Sequence, residues 1–402
     1  MTPVVDPALR PAEEWVARMR AAYPVEPFVD HALTRKLRTR PNGRYAPLTL
    51  ESAGQQLEKF LQSRLGSDFD IRDLKLLSGG NSKEQYAFRL LWRDGVEARD
   101  ERLVLRMQPA QSIVETHRLR EFQILQAMDG VVPVPAPLWI DAEAEYFQQP
   151  ALIYRFCSGV SRPSEADAPG AVKGSFGPKW RQILTPQFIA NLARIHLFDW
   201  SGKDMSAYEI AKPGTTDGVI QVVNFWNRAW EEDRIEAVPL VTLVAQWLRD
   251  NAPPVDRISV VHGDYRAGNF LFDPDSGDIT AILDWELVHF ADRHEDLATL
   301  LLPGLGEYDE NGTFLVGGFC PRDEFLSRYE EASGLPVDEA RLAYYEVYNY
   351  WRTLCMSLGS AARCVQLQKT HQDIVLVANT VVAGMMFGDL NNCMTRILSD
   401  GA

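Results

Sequence analysis

Apolar positions along the chain change their period twice. AEEWVARMRAAY and FVDHALTRKL, within the first 40 residues, space their apolar positions as helices do, and ESAGQQLEKFLQSRL places Leu57, Phe60, Leu61 and Leu65 on one helical face. The next segments, IRDLKLL, EQYAFRLLW and RLVLRMQ, are shorter, partly alternating, and separated by the turn material SGGNS and RDGVEARD. Three antiparallel strands follow from that pattern. HRLREFQILQAM repeats Leu119, Phe122, Leu125 and Met128 at helical spacing, and VPVPAPLWI and ALIYRFCSG add two strands around an acidic turn. Beyond them the period is helical again, in TPQFIANLARIHLFDW, VNFWNRAWEEDR and LVTLVAQWLRDNA, interrupted by a strand pair, ISVVHGD and NFLFDPDSGDITAILDWE. The pattern predicts an α+β protein: a helical extension over 1–66, an N-lobe of antiparallel sheet plus helix over 67–157, and a mainly helical C-lobe over 158–402.

Composition narrows the function classes. The formal charge of −14, from 55 acidic against 41 basic residues, works against general binding to nucleic acid or anionic lipid and favours a small ligand. Five cysteines (157, 320, 355, 364 and 393) form no CxxC or Cys/His cluster and read as reduced thiols. The N-terminus has no leader pattern and no run of about 18 uncharged apolar residues occurs, so the expectation is a cytoplasmic protein with no membrane partner, monomer or homodimer. VAGMMFG has GxxxG spacing but reads as close packing in a soluble helix.

The densest chemistry lies in VHGDYRAGN, residues 261–269, which brings His262, Asp264, Arg266 and Asn269 together straight after an apolar run. LFDPDSGDITAILDWE reads as a hairpin that returns Asp284 to this segment. Two carboxylates and an amide then face one cavity, a donor set that suits Mg²⁺ together with substrate phosphates. Asn269 and Asp284 are the natural ligands, and Asp264 is left to orient an incoming hydroxyl or accept its proton.

HGDYRAGN followed by LDWE resembles the catalytic-loop and metal-binding motifs of the aminoglycoside phosphotransferase-like kinases. The resemblance implies a protein-kinase-like two-lobed fold that uses ATP and Mg²⁺, with Asp264 as catalytic base, Asn269 and Asp284 as metal ligands, and His262 and Arg266 shaping the loop. Upstream, LLSGGNSKEQYAF resembles the loop that covers the phosphates, through Gly79, Gly80, Asn81 and Ser82, although a GG between strands also makes an ordinary hairpin turn. Arg106 stands where the family has a strand cation, with Glu121 as its implied helix partner, and LIYRFCSG resembles the hinge, where main chain around Arg155, Phe156 and Cys157 meets adenine. His196, in NLARIHLFDW, and Asp296, in the DLA that follows the metal motif, read as structural. Ala291, Asp292 and Arg293 replace the family's Gly-Asp-Pro.

The resemblance covers about residues 70–390, and a late run, YYEVYNYWRTLCMSLGSAARC, is similar to the phosphotransferase domain joined to certain acyl-CoA dehydrogenases. It implies transfer of the γ-phosphoryl group of ATP to a small-molecule hydroxyl, on a hydroxyacyl or other partly apolar acceptor. An aminoglycoside, drawn by acidic residues such as Asp292, Glu295, Asp309 and Glu310, is the alternative acceptor, and a catalytically inactive nucleotide-binding protein is the alternative class. A two-metal phosphoesterase fits poorly: the chain has only 7 histidines and no GNH triplet.

Overall fold

The computed structural model describes residues 7–46, 48–77, 83–164, 175–309, 311–369 and 373–400. Three helices come first: α1 (Glu13–Ala22), α2 (Pro27–Thr39) and α3 (Leu50–Leu65). Pro27 opens α2, where its missing N–H has no helical partner to lose. The Thr49 hydroxyl caps α3 by accepting from the Ser52 N–H at 3.1 Å.

Strands β1 (Phe69–Leu76), β2 (Glu84–Asp94), β3 (Glu97–Met107), β4 (Pro137–Asp141) and β5 (Ala151–Arg155) form an antiparallel sheet in the order β1-β2-β3-β5-β4. Asp94 pairs with Glu97 across a two-residue turn that Gly95 enables with φ +62°. The period-2 pattern of β2 puts Tyr86, Phe88 and Leu90 on one face, where Ala53, Leu57, Phe60 and Leu61 of α3 cover them. The other face carries a smaller cluster of Val104, Leu152 and Tyr154 with Phe156 beside it.

Helix α4 (Arg118–Met128) departs from the one-sided pattern expected of it. Ile124, Leu125, Ala127 and Met128 join the large core of the helical lobe, while Arg118, Arg120, Glu121 and Gln123 are buried too. A helix wedged between two lobes has no solvent face, so its polar residues must find partners inside the protein.

The helical lobe contains α5 (Gly177–Leu197), α6 (Asp217–Asp233), α7 (Pro239–Asp250), α8 (His294–Leu301), α9 (Arg322–Ser333), α10 (Glu339–Leu354), α11 (Ala362–Leu367) and α12 (Asp373–Asp400). Helix α5 begins at Gly177, well before the TPQ that sequence marks as a start, and runs through Pro186. The aromatic run in α10 is chiefly core, since Tyr345, Tyr348 and Trp351 are fully buried. Among the described residues no helix is long and apolar enough to cross a membrane.

Four short strands hold the polar loops: β6 (Ser259–Val261), β7 (Phe270–Phe272), β8 (Ile279–Ile282) and β9 (His289–Ala291). The hairpin predicted around DPDSGD is β7 against β8. ISVV, expected to pair with that hairpin, instead forms β6 against β9, the segment just after Asp284. Three-residue strands carry too little pattern to name their partner.

Helix α2 is fastened to α6 by buried charge. Lys36 Nζ lies 3.0 Å from both Glu232 Oε2 and Asp233 Oδ1, and Arg40 reaches Asp233 Oδ1 at 2.6 Å. On the far side a π-helical segment, Cys355–Ala361, joins α10 to α11. There Gly359 lies against Trp230, Ser360 Oγ donates to Asp233 Oδ2 at 2.7 Å, and Arg363 Nε donates to the Asp233 carbonyl at 2.9 Å.

Burial alone would raise the Asp233 pKa, but Lys36 and Arg40 hold it at about 2. An unfolded aspartate titrates near pH 4. The stabilisation is therefore complete above about pH 4 and lost as pH falls toward about 2, a contribution of roughly 2–3 kcal/mol. Urea unfolding at neutral and acidic pH should show that loss, and Asp233→Asn should show a smaller one.

Candidate functional site

The sequence-marked polar residues converge between the lobes. After β6 the chain turns at Gly263, whose φ of +78° and contact with the Leu287 main chain leave no room for a Cβ. Buried Asp296 secures this turn by accepting the N–H of His262 at 2.7 Å and of Gly263 at 2.8 Å, while His196 Nε2 lies 3.2 Å from it. Burial opposes the Asp296 charge, yet these donors keep its pKa below the usual carboxylate range. Asp296 and His196 thus hold the loop from beneath, as their structural reading anticipated.

The Asp264 carboxylate is gripped on both oxygens. Arg266 Nε donates to Oδ1 at 2.9 Å and Asn269 Nδ2 donates to Oδ2 at 2.6 Å. His262 is fully buried: its Nδ1 accepts the Asp264 N–H at 3.3 Å, and its Nε2 lies 3.0 Å from the Leu283 carbonyl. Burial lowers its pKa and keeps the ring neutral, so it ties two loops together and does not reach a ligand. His262 is thus buried beneath the half-buried side chains of Asp264 and Arg266.

The β7–β8 register carries Asp284 to the same place. The Leu283 N–H donates to the Asn269 carbonyl at 2.7 Å, and Asp284 then takes a left-handed conformation, φ 60° and ψ 51°. Its side chain is 38% exposed, with Oδ1 bound to Arg106 at 2.9 Å. Asp284 Oδ2 and Asn269 Oδ1 accept no hydrogen bond from the described residues. Two oxygen donors held by opposed loops suit a hard cation.

Asp284 belongs to a cluster of six charges. Arg106 is buried and meets Asp284, Glu286 at 3.2 Å and Glu121 at 3.4 Å. Lys83 lies 3.0 Å from Glu286, and Arg118 bonds Glu121. Burial would raise the Glu286 pKa, but Lys83, Arg106 and Arg118 hold it at about 2. Burial opposes the charge on Arg106, and the surrounding carboxylates Glu121, Asp284 and Glu286 outweigh it and hold its pKa well above the ordinary value. The Arg106–Glu121 pairing was legible in sequence, whereas Lys83 and Glu286 were missed. The signal for Glu286 was its place two residues after Asp284 in LDWE.

Gly79, Gly80, Asn81 and Ser82 lie outside the described residues. At the hinge, the Arg155 N–H donates to the Ala136 carbonyl and the Phe156 N–H to the Arg102 carbonyl, both at 2.9 Å. The Arg155 side chain turns outward to Glu101 at 2.6 Å. Cys157 N–H has no backbone partner among the described residues, and burial raises its thiol pKa to about 11. Asp292 and Glu295 are fully buried, Asp292 with Arg341 at 2.7 Å and Glu295 with Arg352 at 3.0 Å. They are unavailable to draw a polycation. Asp309 accepts the N–H groups of its own turn, and Glu310 lies outside the described residues.

Beside the loop is a narrow recess of about 50 Å³, walled by Leu287 and Glu286, by α6, by α10 and by the start of α2. Asp264, Arg266 and Asn269 do not line it, but Leu287 does, and Leu287 is the residue packed on Gly263.

Three comparisons agree with this geometry. A sequence model of the phosphotransferase enzyme family matches residues 73–345. Acyl-CoA dehydrogenase family member 10 of Mus musculus is 27% identical over 323 residues, covering 79% of this chain and 27% of that protein. An aminoglycoside 3'-phosphotransferase of Streptomyces fradiae is 34% identical over 188 residues, covering 44% of this chain and 63% of that one. The chain thus spans about a quarter to a third of the length of the dehydrogenase relatives. Among solved structures, a Ralstonia eutropha protein provisionally assigned as an aminoglycoside phosphotransferase superposes with TM-score 0.60 at 19% identity, over 88% of this chain and 99% of that one. The Plasmodium vivax ethanolamine kinase gives 0.51 at 12% identity, over 100% and 99%. These likenesses show the two-lobed kinase-like fold.

Proposed function

The chain belongs to the phosphotransferase enzyme family, and from that premise we propose that it is an ATP-dependent kinase acting on the hydroxyl of a partly apolar small molecule. The observation that carries this reading is the Asp264 carboxylate, fixed by Arg266 at 2.9 Å and Asn269 at 2.6 Å with Asp284 on the facing hairpin.

In this mechanism Asp264 orients the acceptor hydroxyl and takes its proton as the oxygen bonds to the γ-phosphorus and the bond to the β-phosphate oxygen breaks. Arg266, held against Asp264, faces the transferring group. Asn269 Oδ1 and Asp284 Oδ2 would hold Mg²⁺, which supplies charge neutralisation for the phosphates. Arg106 keeps Asp284 in place, and the apolar face of Val104, Leu152, Tyr154 and Phe156 receives adenine, with Cys157 N–H as the free hinge donor. Burial and pairing of Asp292 and Glu295 remove two charges that would favour an aminoglycoside.

The test is ATP consumption with Mg²⁺ against hydroxyacyl-CoA thioesters, hydroxylated aromatics and aminoglycosides. Acceptor-dependent turnover is expected with a partly apolar class, and Asp264→Asn should lower it by about 10²–10⁴. Turnover only with aminoglycosides would refute the acceptor class, and turnover retained in a folded Asp264→Asn variant would refute the base.

A further inference from the structure

We infer that the helices ahead of the sheet build one wall of the acceptor site, and that this wall selects an uncharged apolar chain. The inference rests on the kinase reading. The recess beside Leu287 is a narrow cleft with about 50 Å³ of enclosed space, open to solvent at its mouth. Its apolar surface comes from Val25 and Val29 on one side and from Val222, Phe225, Trp226 and Leu287 on the other. Val25 and Val29 lie ahead of the family match, which begins at residue 73.

The wall is rigidly placed. Lys36 and Arg40 anchor the far end of α2 on Asp233, and at its near end Glu26 binds Arg120 of α4 through contacts of 2.6 and 3.0 Å. Glu26 also accepts the Glu209 N–H at 2.8 Å. The helix is thereby tied to both lobes at the mouth of the recess.

Most charged groups of the recess are paired: Glu26 is matched by Arg120, Glu295 by His289 and Arg352 at 3.0 Å each, and Glu286 by Lys83 and Arg106. Glu115, which also lines the recess, has no ion pair among the described residues; it accepts from the Ser112 N–H at 2.7 Å and from Gln108 Nε2, and burial raises its pKa. A polycation would find only this hydrogen-bonded carboxyl there, and an anion no unpaired guanidinium. An aliphatic or aromatic body loses water against six apolar side chains without disturbing any ion pair. Leu287 joins the two regions, since it lines the recess and packs on the residue preceding Asp264. The acceptor's chain occupies the recess and its hydroxyl faces the loop.

The experiment is calorimetric titration of the full chain, without ATP, using the straight-chain series from butane-1,2-diol to decane-1,2-diol. Affinity should rise about fourfold for each added methylene until the recess is filled. Val29→Arg should flatten the series and Val29→Leu should preserve it, with circular dichroism and thermal midpoint confirming that both are folded. Val25→Arg, on the coil before α2, repeats the test should Val29→Arg not fold. Affinity indifferent to chain length, or equal slopes in the Arg and Leu variants, would overturn the inference. Because binding is read without ATP, that result is separate from failure of the acceptor panel, which bears on the kinase reading itself.

Discussion

Replacing Asp264 by asparagine is expected to lower phosphoryl transfer by about 10²–10⁴, the range for loss of a positioned general base, with the fold and nucleotide affinity retained. Asparagine keeps the shape and can still accept from Arg266 Nε, now 2.9 Å from Oδ1. It cannot take a proton, and its amide nitrogen would face the Asn269 Nδ2 donor, now 2.6 Å from Oδ2. The substitution therefore removes the acceptor function and one loop contact at a partly exposed site. Steady-state kinetics with saturating ATP, alongside titration of a nonhydrolysable analogue, separates loss of chemistry from loss of binding. A parallel fall in analogue affinity would mean that the loop had collapsed and that Asp264 acts through folding.

The second large effect is expected at Arg106. Lys83, Arg106 and Arg118 balance Glu121, Asp284 and Glu286 in the buried cluster. Arg106→Met leaves two cations against three carboxylates, and removing one partner of a buried ionic group costs about 3–5 kcal/mol. Asp284 also loses its 2.9 Å tether, so nucleotide affinity should fall with stability. The pH dependence has a definite sign. Without Arg106, Glu286 loses part of what holds its pKa at about 2, so protonation relieves repulsion at a higher pH than in the parent. The denaturation midpoints of variant and parent should draw closer as the medium is acidified. Arg106→Lys should fall between them, because one ammonium cannot span the three carboxylates that the guanidinium contacts.

The parts of the site legible in sequence are those whose chemistry is local. His262, Asp264, Arg266 and Asn269 lie within eight consecutive positions, and the DPDSGD turn shows how Asp284 returns to them. The long strands of the sheet were equally plain, because β2 and β3 run for 11 residues each and Gly95 marks the turn between them. What sequence hid depends on remote partners. Lys83 is an unremarkable surface-like lysine until Glu286, about two hundred residues on, places a carboxylate 3.0 Å away. Asp292 and Glu295 looked like solvated acids because Arg341 and Arg352, which permit their burial, lie on a later helix. The buried polar side of α4 was hidden for the same reason, since a period of apolar residues describes only a helix with one solvent face.

The seven-residue π-helical stretch from Cys355 to Ala361 bears on how this chain tolerates insertion and deletion. Such a stretch is an α-helix that has absorbed extra length without breaking. Deleting one residue there would restore the α-helical repeat with the flanking helices in register and remove the bulge that carries Ser360, which donates to Asp233 at 2.7 Å. Deleting a second would turn α11 by about 100° and carry Arg363 away from the Asp233 carbonyl it holds at 2.9 Å. Since Asp233 is also the post to which Lys36 and Arg40 tie α2, the length of a segment near the C-terminus sets whether the first helices of the chain can dock.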